Sequence, residues 1–226
     1  MSGIESIIFV HGAWANASAW VKLLPLLDGA GVELVAASLP LSSLVDDVTT
    51  LKRAIALAKG PVLLVGHSYG GAVITEAGAD PKVVGLVYVT GFGPDVGESA
   101  ASLAASGPET RLATELRPDA DGFLKLTRAG VDHAFAQDLP EEERALIFAT
   151  QGPLAGAAFG APITNPAWKS KPSWYVHATE DHAIHPDLQA MMAKRMGAQT
   201  VDIAASHVAM LSQPRAVADL VLQAIG

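Results

Sequence analysis

Residues 61–73 read PVLLVGHSYGGAV. The run 61–65 is apolar and of strand length, and 69–79 is a small-residue stretch that reads as a helix. Between them, Ser68 sits in a G-x-S-x-G pattern. A strand that turns straight into a helix leaves room only for small residues two before and two after the serine. Gly66 and Gly70 supply them, and Gly71 adds further space. Such a turn lifts the hydroxyl above the sheet at a helix N-terminus, where free N–H groups favour a developing oxyanion. The plainer alternative is a serine that only caps the next helix. The strand before it and the helix after it weigh for a nucleophile.

The same rhythm extends both ways. Apolar runs at 6–10, 32–39, 83–90, 173–179 and 200–204 read as strands. Helical spacing appears over 20–27, 46–58, 186–196 and 214–225. Strands that are apolar on both faces belong inside a parallel sheet covered by helices, so the expected class is α/β with a mainly parallel six-stranded sheet. From about residue 91 the alternation breaks, with no clear strand until 165. Short helical pieces such as ETRLATEL and EEERALIFAT fall there. The expectation is one domain over 1–226, with a helical cap inserted at about 94–165, after the strand ending near Thr90. Its Ala/Gly-rich stretch 152–162 is the loosest part, and the acidic PDADG and EEER clusters read as solvated faces.

Composition narrows the function. The chain has 226 residues, 15 basic and 23 acidic, for a net charge of −8. With no Lys/Arg run, neither nucleic acid nor an anionic membrane is an expected partner. The absence of cysteine excludes disulfides, thiolate metal sites and cysteine nucleophiles. No signal-peptide pattern opens the sequence and no apolar run is long enough to span a bilayer, so a soluble, cytoplasmic protein is expected. No P-loop or dinucleotide fingerprint follows a strand, and no metal constellation is present, so no cofactor is expected. Whether the chain is a monomer or a homodimer stays open.

A serine nucleophile needs a base, and the base needs an acid to orient it. In a strand–turn–helix setting these follow in the order serine, acid, histidine, on loops at the carboxyl edge of the sheet. Of seven histidines, only His207 lies between the last strand and the last helix. Asp181, just past the 173–179 strand, is the first choice for the acid, with Asp95 and Glu180 as rivals. His177, inside that strand, reads as a packed or hydrogen-bonded core histidine. The oxyanion hole would use the backbone N–H groups of Tyr69 and Ala13, the latter on the loop after the first strand.

The stretches VHGAW, VGHSYGG, YVHATEDHAIHPDLQ and SHVAMLSQP together resemble the α/β-hydrolase superfamily. More closely, they resemble its branch of plant methyl-ester esterases and hydroxynitrile lyases, with their bacterial relatives. The match runs from the first strand to the last helix and is weakest in the cap. The resemblance implies an α/β-hydrolase fold and a triad on Ser68, Asp181 and His207. The (S)-selective lyases of this branch carry threonine and lysine where this chain has Gly12 and Val208, so the resemblance points to the esterase type. Asn16, near the oxyanion loop, keeps a lyase of opposite stereoselectivity as an alternative. A non-catalytic ligand-binding protein on the same fold is the other.

The expected reaction is hydrolysis of a small, mostly apolar carboxylic ester. Gly12, Trp14, Phe92, Phe135, Phe159 and Val208 are the expected pocket residues. Phe123, Phe148 and Trp168 are further candidates for the cleft, although ordinary packing explains any one of these aromatics as well. Met191, Met192 and Met196 recur at helical spacing and read as core.

Overall fold

The computed structural model describes residues 3–226. Six strands build the main sheet: β1 (Ser6–Val10), β2 (Glu33–Ala37), β3 (Val62–His67), β4 (Val83–Val89), β8 (Ser173–Ala178) and β9 (Gln199–Ile203). Their spatial order is β2-β1-β3-β4-β8-β9, and every pairing is parallel. The central strands are sealed on both faces, as their continuous apolar runs require: β1 and β3 are buried at every position.

Helices cover both faces of this sheet, and others build the inserted segment. They are α1 (Leu24–Leu27), α2 (Leu44–Leu57), α3 (Tyr69–Ala77), α4 (Ala100–Ser106), α5 (Arg128–Gly130), α6 (Glu141–Thr150), α7 (Gly156–Gly160), α8 (Pro186–Met196), α9 (Ala209–Ser212) and α10 (Pro214–Ile225). Capping chemistry fixes several ends. Ser43 accepts a hydrogen bond from the Asp46 N–H at the start of α2, and Gly197 closes α8 at φ 62°, where glycine is unstrained. Val48, Leu51 and Ile55 form the buried stripe of α2, each contributing roughly 1.5–3 kcal/mol of apolar burial.

Several expectations need correction. The helix expected over 20–27 is a 3-10 turn, Ala17–Trp20, followed by the short α1, because Pro25 can occupy only the first turn of a helix. The inserted segment is not purely helical. It holds a three-stranded antiparallel sheet of β5 (Leu116–Pro118), β6 (Phe123–Leu126) and β7 (Leu154–Ala155). The ETRLATEL piece is one 3-10 turn, Arg111–Thr114, running into β5. The PDADG cluster is indeed exposed, yet it is also the β5–β6 hairpin turn. There Asp119 accepts from the Asp121 and Phe123 N–H groups, and Gly122 adopts φ 81°. The Ala/Gly stretch 152–162 forms β7 and α7. On α8, Met192 and Met196 are core as expected, but Met191 is exposed.

Candidate active site

Ser68 sits between β3 and α3 at φ 53°, ψ −123°, a backbone strain of about 1–3 kcal/mol for a residue other than glycine. The surrounding glycines make the turn geometrically feasible. A Cβ on Gly66 would lie 2.7 Å from the Gly70 carbonyl oxygen, and one on Gly70 would lie 2.5 Å from that of Val10. The Ser68 carbonyl accepts from the N–H groups of Gly71 (2.9 Å) and Phe92 (3.0 Å), which pins the turn to the end of β4.

Asp181 follows β8 and is buried. Its Oδ1 accepts from the Ala183 and Ile184 N–H groups at 2.7 and 3.0 Å. Its Oδ2 accepts from Gln189 Nε2 (2.8 Å) and His207 Nδ1 (2.7 Å). An ionised carboxylate only accepts, so Nδ1 carries the imidazole proton and Nε2 keeps its lone pair. Gln189 is wholly buried, and its Oε1 also holds the Ala178 N–H. Sequence reasoning passed over Gln189. The signal was a polar side chain on the buried face of α8, beside Leu188 and Met192.

His207 is held from behind. Its carbonyl accepts from Thr90 Oγ1 and His67 Nε2, each at 2.9 Å, and the His67 ring lies 4.8 Å from the His207 ring. Burial, and then the neighbouring His207, keep His67 well below the usual imidazole range, so it stays neutral. His11 is lowered by burial too. It accepts the Leu39 N–H at Nε2 and donates from Nδ1 to the Gly12 carbonyl. The inserted segment reaches both loops. Asp138 accepts the Ser206 N–H (2.8 Å), and Gln137 donates to the Glu180 carbonyl (2.7 Å).

The rival acids lie elsewhere. Asp95 pairs with Lys169, and the Glu180 side chain is exposed. His177 is half-buried and bridges Asp202 and the Pro186 carbonyl, the hydrogen-bonded role expected of it.

Ser68 and His207 open onto one cavity of about 340 Å³, together with Ala13, Trp14, Phe92 and Phe159. No lysine or arginine lines it. Among the described residues, neither the Ala13 N–H nor the Tyr69 N–H has an acceptor within the chain. Three expected pocket residues are not on its wall. Phe135 and Val208 line a second cavity, behind His207. Gly12 lies under Ser68, where a Cβ would come within 2.7 Å of Ser68 Cβ and 2.9 Å of the His67 carbonyl oxygen. Phe123, Phe148 and Trp168 are also off this wall, and Trp168 instead donates from Nε1 to the Pro94 carbonyl.

The Tyr69 side chain points away from Ser68 and donates its hydroxyl to Asp47 Oδ2 (2.7 Å). Asp47 is fully buried on α2, and its Oδ1 accepts the Leu41 N–H (2.8 Å). The Leu41 carbonyl in turn accepts the Ala155 N–H of β7 (2.9 Å). Burial raises the Asp47 carboxyl despite these bonds, and burial beside Asp47 raises the Tyr69 phenol.

The family model described as the alpha/beta hydrolase family matches residues 7–220. The chain belongs to that family. Methylesterase 8 of Arabidopsis thaliana is 26% identical over 212 residues, covering 83% of this chain and 76% of the relative. The pyrethroid hydrolase of Sphingobium wenxiniae is 25% identical over 254 residues, covering 96% and 86%. Among solved structures, a pyrethroid hydrolase from Sphingobium faniae superposes with a TM-score of 0.85 at 23% identity. That match covers 98% of this chain and 97% of the other, and at this identity it speaks to the fold alone. In this family of hydrolases, the six-stranded sheet and its helices are the shared frame.

Proposed function

We propose that the protein is a serine carboxylesterase acting on small, mostly apolar esters, with Ser68 as nucleophile, His207 as general base and Asp181 as its orienting acid. The observation that carries this reading is the buried 2.7 Å bond from His207 Nδ1 to Asp181, beside a cavity onto which both His207 and Ser68 open. Relatives named as methylesterases and hydrolases support ester hydrolysis as the class of reaction.

In this mechanism His207 Nε2 takes the Ser68 proton as Oγ attacks the ester carbonyl carbon. The resulting oxyanion accepts from the Ala13 and Tyr69 N–H groups, and Asp181 stabilises the imidazolium. The tetrahedral intermediate collapses, and His207 returns the proton to the departing alcohol. A water molecule, deprotonated by the same nitrogen, then attacks the acyl-enzyme, and the acid leaves as Ser68 regains its proton. The Ser68 hydroxyl has no hydrogen-bond partner among the described residues. Catalytic hydrogen bonds of this kind tighten when substrate binds.

The cavity also weighs against a lyase of the (S)-selective type. Release of cyanide calls for a cation near the base, and the cavity wall carries neither lysine nor arginine. Threonine in place of Gly12 would press its Cβ into Ser68.

The test is intact mass after incubation with a fluorophosphonate, alongside p-nitrophenol release from acetate and butyrate esters. The wild type is expected to gain one adduct and turn over ester. Ser68→Ala is expected to do neither, with kcat lower by several orders of magnitude. Unreduced turnover in Ser68→Ala, or release of cyanide from a cyanohydrin without ester turnover, would overturn the assignment.

A further inference from the structure

Two cavities meet at Trp14. The first is the 340 Å³ cavity that holds Ser68 and His207. The second, about 380 Å³, lies between the 3-10 turn Ala17–Trp20 and α6, with Ala19, Phe135, Ile147 and Met210 on its walls. Trp14 is the one described residue that lines both.

The indole is fixed at two points. Its Nε1 donates to the Leu124 carbonyl of β6 at 2.8 Å, and it meets the Phe135 ring edge to face at a centroid distance of 5.9 Å. The Trp14 backbone is at φ 59°, a left-handed conformation that disfavours a bulky side chain and suits glycine. A large ring is therefore held, against local backbone preference, at the boundary between two mostly apolar chambers, the second with the Lys22–Glu143 ion pair on its wall. It is also the residue directly after Ala13.

We infer that Trp14 is a specificity-determining residue: its indole is a partition that ends the acyl pocket, and removing it joins the two chambers into one apolar tract that admits bulky aromatic acyl groups. This rests on the esterase reading above. The joined space would be roughly double that of the first cavity.

The experiment compares kcat/KM for p-nitrophenyl butyrate and p-nitrophenyl biphenyl-4-carboxylate in the full-length protein. The series runs from Trp14 through Trp14→Phe and Trp14→Leu to Trp14→Gly, the last matching the observed φ without strain. The ratio of biphenyl to butyrate activity is expected to rise stepwise, by at least about tenfold at glycine, the scale on which a pocket discriminates by size. Adding Ile147→Trp should refill the second chamber and return the Trp14→Gly ratio to that of the wild type. A flat ratio across the whole series would overturn the inference, as would a rise that Ile147→Trp leaves in place.

Failure of the esterase reading is read separately, as absence of a fluorophosphonate adduct on the wild type. The partition still has its own readout then. Calorimetric binding of the uncleaved biphenyl-4-carboxamide to Ser68→Ala should tighten about tenfold on adding Trp14→Gly, and equal affinities would overturn the inference.

Discussion

Asp181, in the turn after β8, and Asp47, on the first turn of α2, are both sealed from solvent. Among the described residues, neither pairs with a lysine or arginine. They differ in what donates to them. Asp181 receives four hydrogen bonds, two from backbone N–H groups, one from Gln189 and one from the His207 imidazole. Asp47 receives two, from the Leu41 N–H and the Tyr69 hydroxyl. A fully bonded carboxylate facing an imidazole can stabilise a charge that comes and goes. One facing a phenol and a loop N–H ties the Ser68 turn to α2 and, through Leu41 and Ala155, to β7. Burial alone therefore does not set what a carboxylate can do; the chemistry of its donors does.

Asp181→Asn should separate the two sites most strongly. An amide there favours the wrong imidazole tautomer, and kcat for p-nitrophenyl butyrate should fall by about 10⁴-fold. An equal loss in Asp47→Asn would erase the distinction. Asp47→Ala should act on stability instead. It strands the Tyr69 hydroxyl and the Leu41 N–H, at about 1–3 kcal/mol each, which urea unfolding would read as a lower midpoint at unchanged slope.

Tyr69→Phe sharpens the contrast further. Asp47 is raised in the folded state, so its ionisation works against the fold. The stability it lends is complete below the unfolded aspartate value and is lost as pH rises through the folded one. Removing the phenol donor should therefore lower stability by about 1–3 kcal/mol at pH 7 and by less as pH falls toward the usual aspartate range. Denaturant melts at several pH values would show this, and a pH-independent loss would contradict it.

Next in size is the pair of buried neutral histidines. His11 and His67 are both lowered in the folded state, so below about pH 6.5 the unfolded chain binds more protons. Stability should fall with pH from there, by up to about 1.4 kcal/mol per pH unit for each histidine. His67→Gln, which keeps a donor for the His207 carbonyl, should flatten that slope. The smallest effect expected is for Asp138→Ala. Losing the Ser206 N–H bond should lower kcat a few-fold, as about 1 kcal/mol of a positioning hydrogen bond implies.

The elements most legible in the sequence were those with strong periodicity and sharp ends. The bounds expected for α8 and α10, 186–196 and 214–225, coincide with the helices found, because a proline opens each one. The cap hairpin was illegible for the opposite reason. Its strands are two to four residues long, and one of them contains Pro118, too little for a period of two to register. Pocket membership was only half legible. Phe92 and Phe159 line the Ser68 cavity, whereas Phe135 and Val208 face the other side of His207.

By itself the sequence determined the parallel sheet, the serine turn and the loops that hold Asp181 and His207. Each of these depends on local patterns: apolar runs, glycines spaced around Ser68, and residues just past strand ends. The tertiary structure alone decided which buried polar groups meet. Gln189 finds Asp181, Tyr69 finds Asp47, and Asp138 of the inserted segment finds Ser206, across separations of 8, 22 and 68 residues. No local pattern encodes those distances. They follow from how helices and cap pack on the sheet, and the same packing sets Trp14 between two chambers.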